Sequence, residues 1–256
     1  MAGAMEGKRA MVFGLANERS IAWGISDAFH QAGARLGFNY LGEALERRVR
    51  PLAEQVDADI VVPCDVTKDD QIRNVFETIE ETWGGLDVLV HSVAFANKDD
   101  LAGRFSDTSR DGYLKAIEVS AYSLVHLARE ARPLMRDGGS IVTMTYYGAE
   151  KVVPNYNIMG VAKATLEASV RYLADELGPE GIRVNAISAG AVKTLAASGV
   201  KNFRKLMSIG EEKAPLRRNI TQEEVGQTAL FLCSGMGSAV TGEVLHVDAG
   251  YNILGY

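Results

Sequence analysis

Seven short apolar runs, each bounded by turn residues and separated by helical periodicity, constrain this chain more than any other feature. They are Lys8 to Phe13, Arg35 to Asn39, Asp59 to Pro63, Leu86 to His91, Ser140 to Thr145, Ile182 to Ile187 and Glu243 to Val247. Between them the pattern predicts helices over Ser20 to Ala32, Glu43 to Val56, Lys68 to Trp83, Ser109 to Met135 (broken near Ser120), Tyr156 to Leu177 and Thr221 to Cys233. Asn155 is the expected N-cap of the fifth, and Gly178-Pro179 its stop. Strands that are near-continuously apolar, rather than alternating, are buried on both faces. Joined by helices, they form βαβ crossovers. The expected fold is α/β, a doubly wound Rossmann-type parallel sheet of about seven strands with helices on both faces. No Pro/Ser-rich linker, repeat or low-complexity tract divides the 256 residues, so 1–256 reads as a single domain.

A net charge of −6 with scattered basic residues argues against a nucleic-acid surface. No apolar run approaches the ~20 residues that span a bilayer, and Met1 to Arg9 is too short and charged for a secretory signal, so a soluble cytoplasmic protein is expected. Cys64 and Cys233 are isolated thiols, read as small buried hydrophobes in a reducing compartment. His91 reads as a satisfied buried histidine, and His30, His126 and His246 share no metal-ligand spacing; no metal site is expected.

In a doubly wound sheet, ligands bind outside the carboxyl ends of the strands. Gly14, Asp65, Ser92, Tyr146 and Ser188 all fall there. After the first strand, Gly14 lets the chain turn, Ser20 and Ile21 open a helix whose free amides suit a pyrophosphate, and Gly24 would let that helix approach the sheet. This stretch is not a literal G-x-G-x-x-G, and an ordinary strand–loop–helix reads the same. Asp65 could accept from an adenine amino group beside Val66, with Thr67 left to cap the next helix; Ser92, Val93 and Ala94 are small enough for backbone to approach a ribose. The second strand ends Asn39-Tyr40-Leu41-Gly42-Glu43, without the acidic residue that binds ribose hydroxyls or an arginine for a 2′-phosphate; Arg47 and Arg48 read as solvated. This favours NADH and leaves NADPH open.

Tyr156 and Lys163 are seven residues apart, almost two helical turns, which would place phenol and ammonium on one helix face. Such a pair can stabilise a developing oxyanion beside a bound cofactor. Tyr146 and Tyr147 stand about ten positions upstream.

Together, Gly14-x5-Ser20-x3-Gly24, Tyr146, Tyr156-x6-Lys163, the run Val184 to Gly190 and the run Leu245 to Gly250 resemble the bacterial NADH-dependent enoyl-[acyl-carrier-protein] reductases, a divergent branch of the short-chain dehydrogenase/reductases. The resemblance spans Glu6 to Tyr251 and is most specific from Pro154 to Lys163. It implies reduction of a trans-2-enoyl thioester with NADH in the last step of bacterial fatty-acid elongation, acyl carrier protein as the partner that carries the substrate, and a homotetramer. It further implies Tyr146, Tyr156 and Lys163 as catalytic residues, and Gly14, Ser20, Ile21, Leu41, Asp65, Val66, Ser92, Val93, Ala94, Lys163, Val192, Thr194 and Ala196 at the cofactor. Ala96, Tyr146, Tyr156, Ala197, Phe203 and Leu206 would meet the acyl substrate, beneath a lid at about 194–210. Lys201, Arg204 and Lys205 on the lid's polar side would meet the acidic carrier. Gly160, Ala164 and Ala168 form a stripe that would permit close packing between subunits. Ala191 stands where the family commonly has proline, and Leu41 where it often has a polar residue.

Two other readings stay open at this level. A carbonyl-reducing relative acting on 3-oxo groups would carry Tyr-x3-Lys, which here needs a tyrosine at the position of Met159. A non-catalytic dinucleotide sensor would need neither Tyr156 nor Lys163.

Overall fold

In the computed structural model, which describes residues 3–194 and 203–255 (backbone alone at 203–204), the apolar runs assemble into one seven-stranded sheet. The elements in chain order are β1 (Arg9–Phe13), α1 (Ile21–Gln31), β2 (Arg35–Tyr40), α2 (Gly42–Gln55), β3 (Ile60–Pro63), α3 (Asp69–Trp83), β4 (Val88–His91), a single turn α4 (Lys98–Leu101), α5 (Arg110–Ile117), α6 (Ser123–Ala131), β5 (Gly139–Thr145), α7 (Ile158–Leu177), β6 (Ile182–Ala189), α8 (Phe203–Lys213), α9 (Gln222–Cys233) and β7 (Val244–Val247). All pairings are parallel, in the order β3-β2-β1-β4-β5-β6-β7.

The two cores explain the apolar strands. Ile25 and Phe29 of α1, Val49 and Leu52 of α2, and Val225 and Leu232 of α9 pack on one face. Ile72 and Ile79 of α3, Leu124 and Leu127 of α6, and Leu166 and Val170 of α7 cover the other. Burial on both faces selects against polar residues at either parity of a strand.

Helix ends follow local chemistry where a cap is present. The Thr221 side chain accepts from the Glu224 amide and the Glu224 carboxylate accepts from the Thr221 amide, a reciprocal cap that starts α9. The break expected near Ser120 is a π turn over Glu118–Tyr122 between α5 and α6.

Three expectations are corrected. α7 begins at Ile158, so Asn155 does not cap it and Tyr156 lies in the preceding turn: Asn155 and Asn157 take left-handed φ values of 63° and 36°, which a helix does not admit. Thr67 does not cap α3, whose N-cap position is Lys68 without a side-chain bond. Gly24 serves a helix–helix contact instead of a helix–sheet one: a Cβ there would lie 2.4 Å from the Gln222 carbonyl oxygen, and one on Gly226 only 2.1 Å from the Gly24 carbonyl oxygen. Glycines on α1 and α9 thus let the two backbones touch.

Candidate active site

The strand order reverses between β1 and β4, which opens a crevice above their carboxyl ends. Gly14 forms its floor. Its φ is +101°, and a Cβ would fall 2.1 Å from the Ser92 carbonyl oxygen, so backbone alone fits between the two strand ends. Asn39 of β2 fixes this turn from below; its side-chain oxygen accepts from the Gly14 amide (3.2 Å) while its amide nitrogen donates to the Cys64 carbonyl (3.1 Å). Ser20 precedes α1, and its hydroxyl accepts from the Ala16 and Asn17 amides at 3.1 and 3.0 Å. These two bonds close the loop and leave the first turn of α1 without a side-chain cap, free to receive an anion.

A cavity of about 550 Å³ fills the crevice. On one side stand Gly14, Ala16, Ser20, Ile21, Ser92, Val93 and Ala94; on the other are Tyr146, Tyr156, Met159 and Lys163, with Ala96, Ala191, Val192, Thr194 and Leu206 around them. Backbone and small side chains at the first wall, beside an uncapped helix start, fit a dinucleotide: the turn offers amides to phosphate and no bulk against a ribose.

The second wall carries the ionisable groups. Lys163 is 5% exposed and its Nζ donates to the Met144 carbonyl at 2.7 Å. Burial pulls its pKa down to about 8, against the opposing charge of Glu167. Tyr156 is held by packing: a Cβ on Gly148 would lie 2.4 Å from its ring, and Tyr146 meets it edge-on. Burial first, then the neighbouring Tyr146 and Glu167, push the Tyr156 phenol up, so it stays protonated and available as a donor. Tyr146 is pushed up to about 12, again by burial first. Tyr147 points elsewhere; its hydroxyl donates to the Asn252 carbonyl at 3.1 Å.

A neutral phenol, a lysine held close to its titration point and a dinucleotide cradle on one cavity suit reduction of a polarised double bond. The sequence pattern described as Enoyl-(Acyl carrier protein) reductase matches residues 14–252. This chain belongs to that family. Among curated relatives, the enoyl-[acyl-carrier-protein] reductase [NADH] FabI of Bacillus cereus is 56% identical over 253 residues, covering 98% of this chain and 99% of the relative. The enoyl-[acyl-carrier-protein] reductase [NADH] 1 of Rhizobium meliloti is 54% identical over 99% of this chain and 93% of its own. Crystal structures agree with the fold: the Anaplasma phagocytophilum reductase in complex with NAD superposes with a TM-score of 0.97 at 49% identity, covering 100% of this chain and 98% of that one. The Bacillus cereus reductase with NADP+ and indole naphthyridinone gives 0.97 at 56% identity, covering all of both chains.

Within the enoyl reductase, most residues anticipated at the site line the cavity. Leu41, Asp65 and Val66 do not; they stand beyond the ends of β2 and β3, along the same sheet edge. The Asp65 carboxylate is already engaged, since its Oδ1 accepts from the Thr67 amide and hydroxyl, each at 2.9 Å. Ala196, Ala197 and Lys201 lie outside the described residues, as do the side chains of Phe203 and Arg204 and much of the lid; its described part is Thr194 and the start of α8, with Thr194 and Leu206 at the cavity and Lys205 exposed. Gly160 faces inward: a Cβ there would lie 2.7 Å from the Gly148 carbonyl oxygen, so it makes room beside Tyr156, while Ala164 is exposed. His91 is buried and bonded on both ring nitrogens, to Thr143 (2.7 Å) and Ser123 (2.8 Å), and burial holds it neutral with a pKa of about 3. Arg47 pairs with Glu43 in solvent.

Two residues escaped the sequence reading. Asn39 looked uninformative because it is neither acid nor base, yet it ties the cradle together. Glu167 is buried four residues after Lys163, a spacing visible in the sequence. Among the described residues, no group of three or more His, Cys, Asp or Glu is placed to hold a metal.

Proposed function

We propose that the chain reduces the trans-2 double bond of enoyl thioesters carried by acyl carrier protein, with NADH as the reductant and Tyr156, Tyr146 and Lys163 as the working groups. The observation that carries this reading is the shared cavity: a phosphate-ready turn at Gly14 and Ser20 faces Tyr156 and Lys163 across one space. When bound, the reduced nicotinamide supplies a hydride to C3 of the enoyl group. Negative charge then moves to the thioester oxygen, and C2 takes a proton to complete the saturated acyl product. The Tyr156 hydroxyl, kept protonated by burial, donates to that oxygen as charge develops. Lys163 holds a positive field at the same wall and offers ammonium donors for ribose hydroxyls. Tyr146 borders the acyl side. Gly14, Ser20, Ile21, Ser92, Val93, Ala94, Val192 and Thr194 would hold the dinucleotide; Leu41, Asp65 and Val66 would meet its adenosine end, and Ala96 and Leu206 the acyl chain.

The finer assignments follow from the same reading. No helix among the described residues is long and apolar enough to cross a membrane, in keeping with a cytoplasmic enzyme. The outward side of α7, with Ala164 and Tyr172 exposed, supports a homotetramer built on that helix.

The test is oxidation of NADH and, separately, NADPH with crotonyl-CoA or its carrier-protein analogue. Turnover with NADH that collapses in Tyr156→Phe and Lys163→Ala is expected. Reduction of a 3-oxoacyl thioester with no enoyl reduction would replace this reading by the carbonyl reductase, and tight dinucleotide binding without turnover would replace it by the sensor.

A further inference from the structure

Glu167 is 8% exposed on the inner face of α7, one helical turn beyond Lys163. A buried carboxylate costs several kcal/mol unless paired and hydrogen-bonded, so a helix that needed only packing here would place an apolar residue. Its surroundings show what it does instead. Thr145 Oγ donates to the Glu167 carboxylate at 2.6 Å, and Lys163 Nζ donates to the carbonyl of the adjacent Met144 at 2.7 Å. Two side chains one turn apart on α7 therefore clamp two consecutive residues at the end of β5, immediately before Tyr146 enters the cavity.

We propose that Glu167 is a positioning residue of the reductase, which fixes the end of β5 through Thr145 and keeps a negative charge beside Lys163 so that its ammonium form persists at the site. The inference rests on the reading of Lys163 as a cation in the reaction.

The groups around the pair fit this role. Facing Lys163 are Glu167 on its own helix, His91 of β4, held neutral, and the phenols of Tyr156 and Tyr146, both raised by burial. Glu167 is thus the carboxylate that opposes the desolvation of Lys163. Burial, more than any other cause, raises the Glu167 carboxyl above its ordinary range, and Glu150 after β5 adds to the rise; the hydrogen bond from Thr145, His246 of β7 and Arg171 on α7 oppose it and favour the charged form. His246 is itself bonded to Glu150 at 2.9 Å, which draws that second carboxylate into a pair of its own.

The experiment is the pH profile of kcat/KM for crotonyl-CoA at saturating NADH in wild type, Glu167→Gln, Thr145→Val and Lys163→Arg. Glu167→Gln keeps a carbonyl acceptor for Thr145 but removes the charge; its alkaline limb is expected to move down by about one pH unit, with the plateau rate within a few-fold of wild type. Thr145→Val should lower kcat several-fold at every pH and leave the limb in place. Lys163→Arg, charged throughout, should lose the limb. A limb that vanishes in Lys163→Arg but stays put in Glu167→Gln overturns the role of Glu167 alone. A limb that survives in Lys163→Arg overturns the reading of Lys163, and the inference with it. Where Glu167→Gln fails to fold, Thr145→Val decides: an unchanged kcat overturns the clamp.

Discussion

The ring of Tyr146 meets the ring of Tyr156 edge-on, with centroids 4.9 Å apart and planes inclined at 69°. This contact, with the space left by Gly148 and Gly160, holds Tyr156 in a turn where no helix fixes it. The geometry belongs to the ring and the chemistry to the hydroxyl. Tyr156→Phe should therefore fold normally and lose about a hundredfold in kcat, or less if a ribose hydroxyl shares the donor role. Steady-state kinetics with crotonyl-CoA checks this, and a variant within twofold of wild type would remove Tyr156 from the reaction.

Lys163 makes stability depend on pH in a predictable sense. Its native pKa is lowered to about 8 from an ordinary 10.5. Between those values the unfolded chain keeps a proton that the native chain has lost, so this residue's contribution to stability rises with pH across that window and is a net cost below it. Urea unfolding of wild type against Lys163→Met should show the difference moving toward wild type by up to about 3 kcal/mol from neutral to alkaline pH. A constant difference would mean that the lysine is not desolvated.

Gly14→Ala combines a left-handed φ with a Cβ 2.1 Å from the Ser92 carbonyl oxygen. Backbone strain alone should cost ~1–3 kcal/mol, and the turn must move to relieve the contact. We expect a lower Tm and at least tenfold weaker NADH binding by calorimetry or fluorescence titration; unchanged affinity would place the pyrophosphate elsewhere.

Cys64 and Cys233 are buried, and desolvation pushes both thiols up to about 12. Neither is a competent nucleophile at neutral pH. The native enzyme should resist a chromogenic disulfide reagent until it is unfolded, when both thiols react; rapid labelling with loss of activity would contradict this.

Lys205 is exposed on α8, next to the cavity residue Leu206. Charge reversal at Lys201, Arg204 and Lys205 should lower kcat/KM several-fold for carrier-linked substrate at low salt and leave crotonyl-CoA unaffected. Equal losses on both substrates would remove these residues from carrier recognition.

The strands were legible because a parallel sheet covered on both faces admits apolar residues at every position, and their bounds fall within two residues of those expected from the pattern. The cavity wall was legible through Gly14, Ser92 and the Tyr156-x6-Lys163 interval. The start of α7 was not: Pro154-Asn155 has the composition of a helix entry, but Asn155 and Asn157 take left-handed φ values in the turn that sets the Tyr156 ring against Gly148. Asp65 could not be resolved because an Asx turn to Thr67 and a ligand contact call for the same residue at a strand end. Glu167 stood at readable spacing from Lys163, but nothing local distinguishes it, buried, from Glu176, exposed on the same helix.

The glycine contact between α1 and α9 has a temporal side. Gln222 at the start of α9 also donates from its side chain to the Glu18 carbonyl at 2.9 Å, inside the loop that would receive the pyrophosphate. The loop's brace is therefore encoded some two hundred residues after the loop itself. During synthesis the ribosome releases the cradle long before its support, so a nascent chain acquires a finished nucleotide pocket only once α9 has emerged and docked.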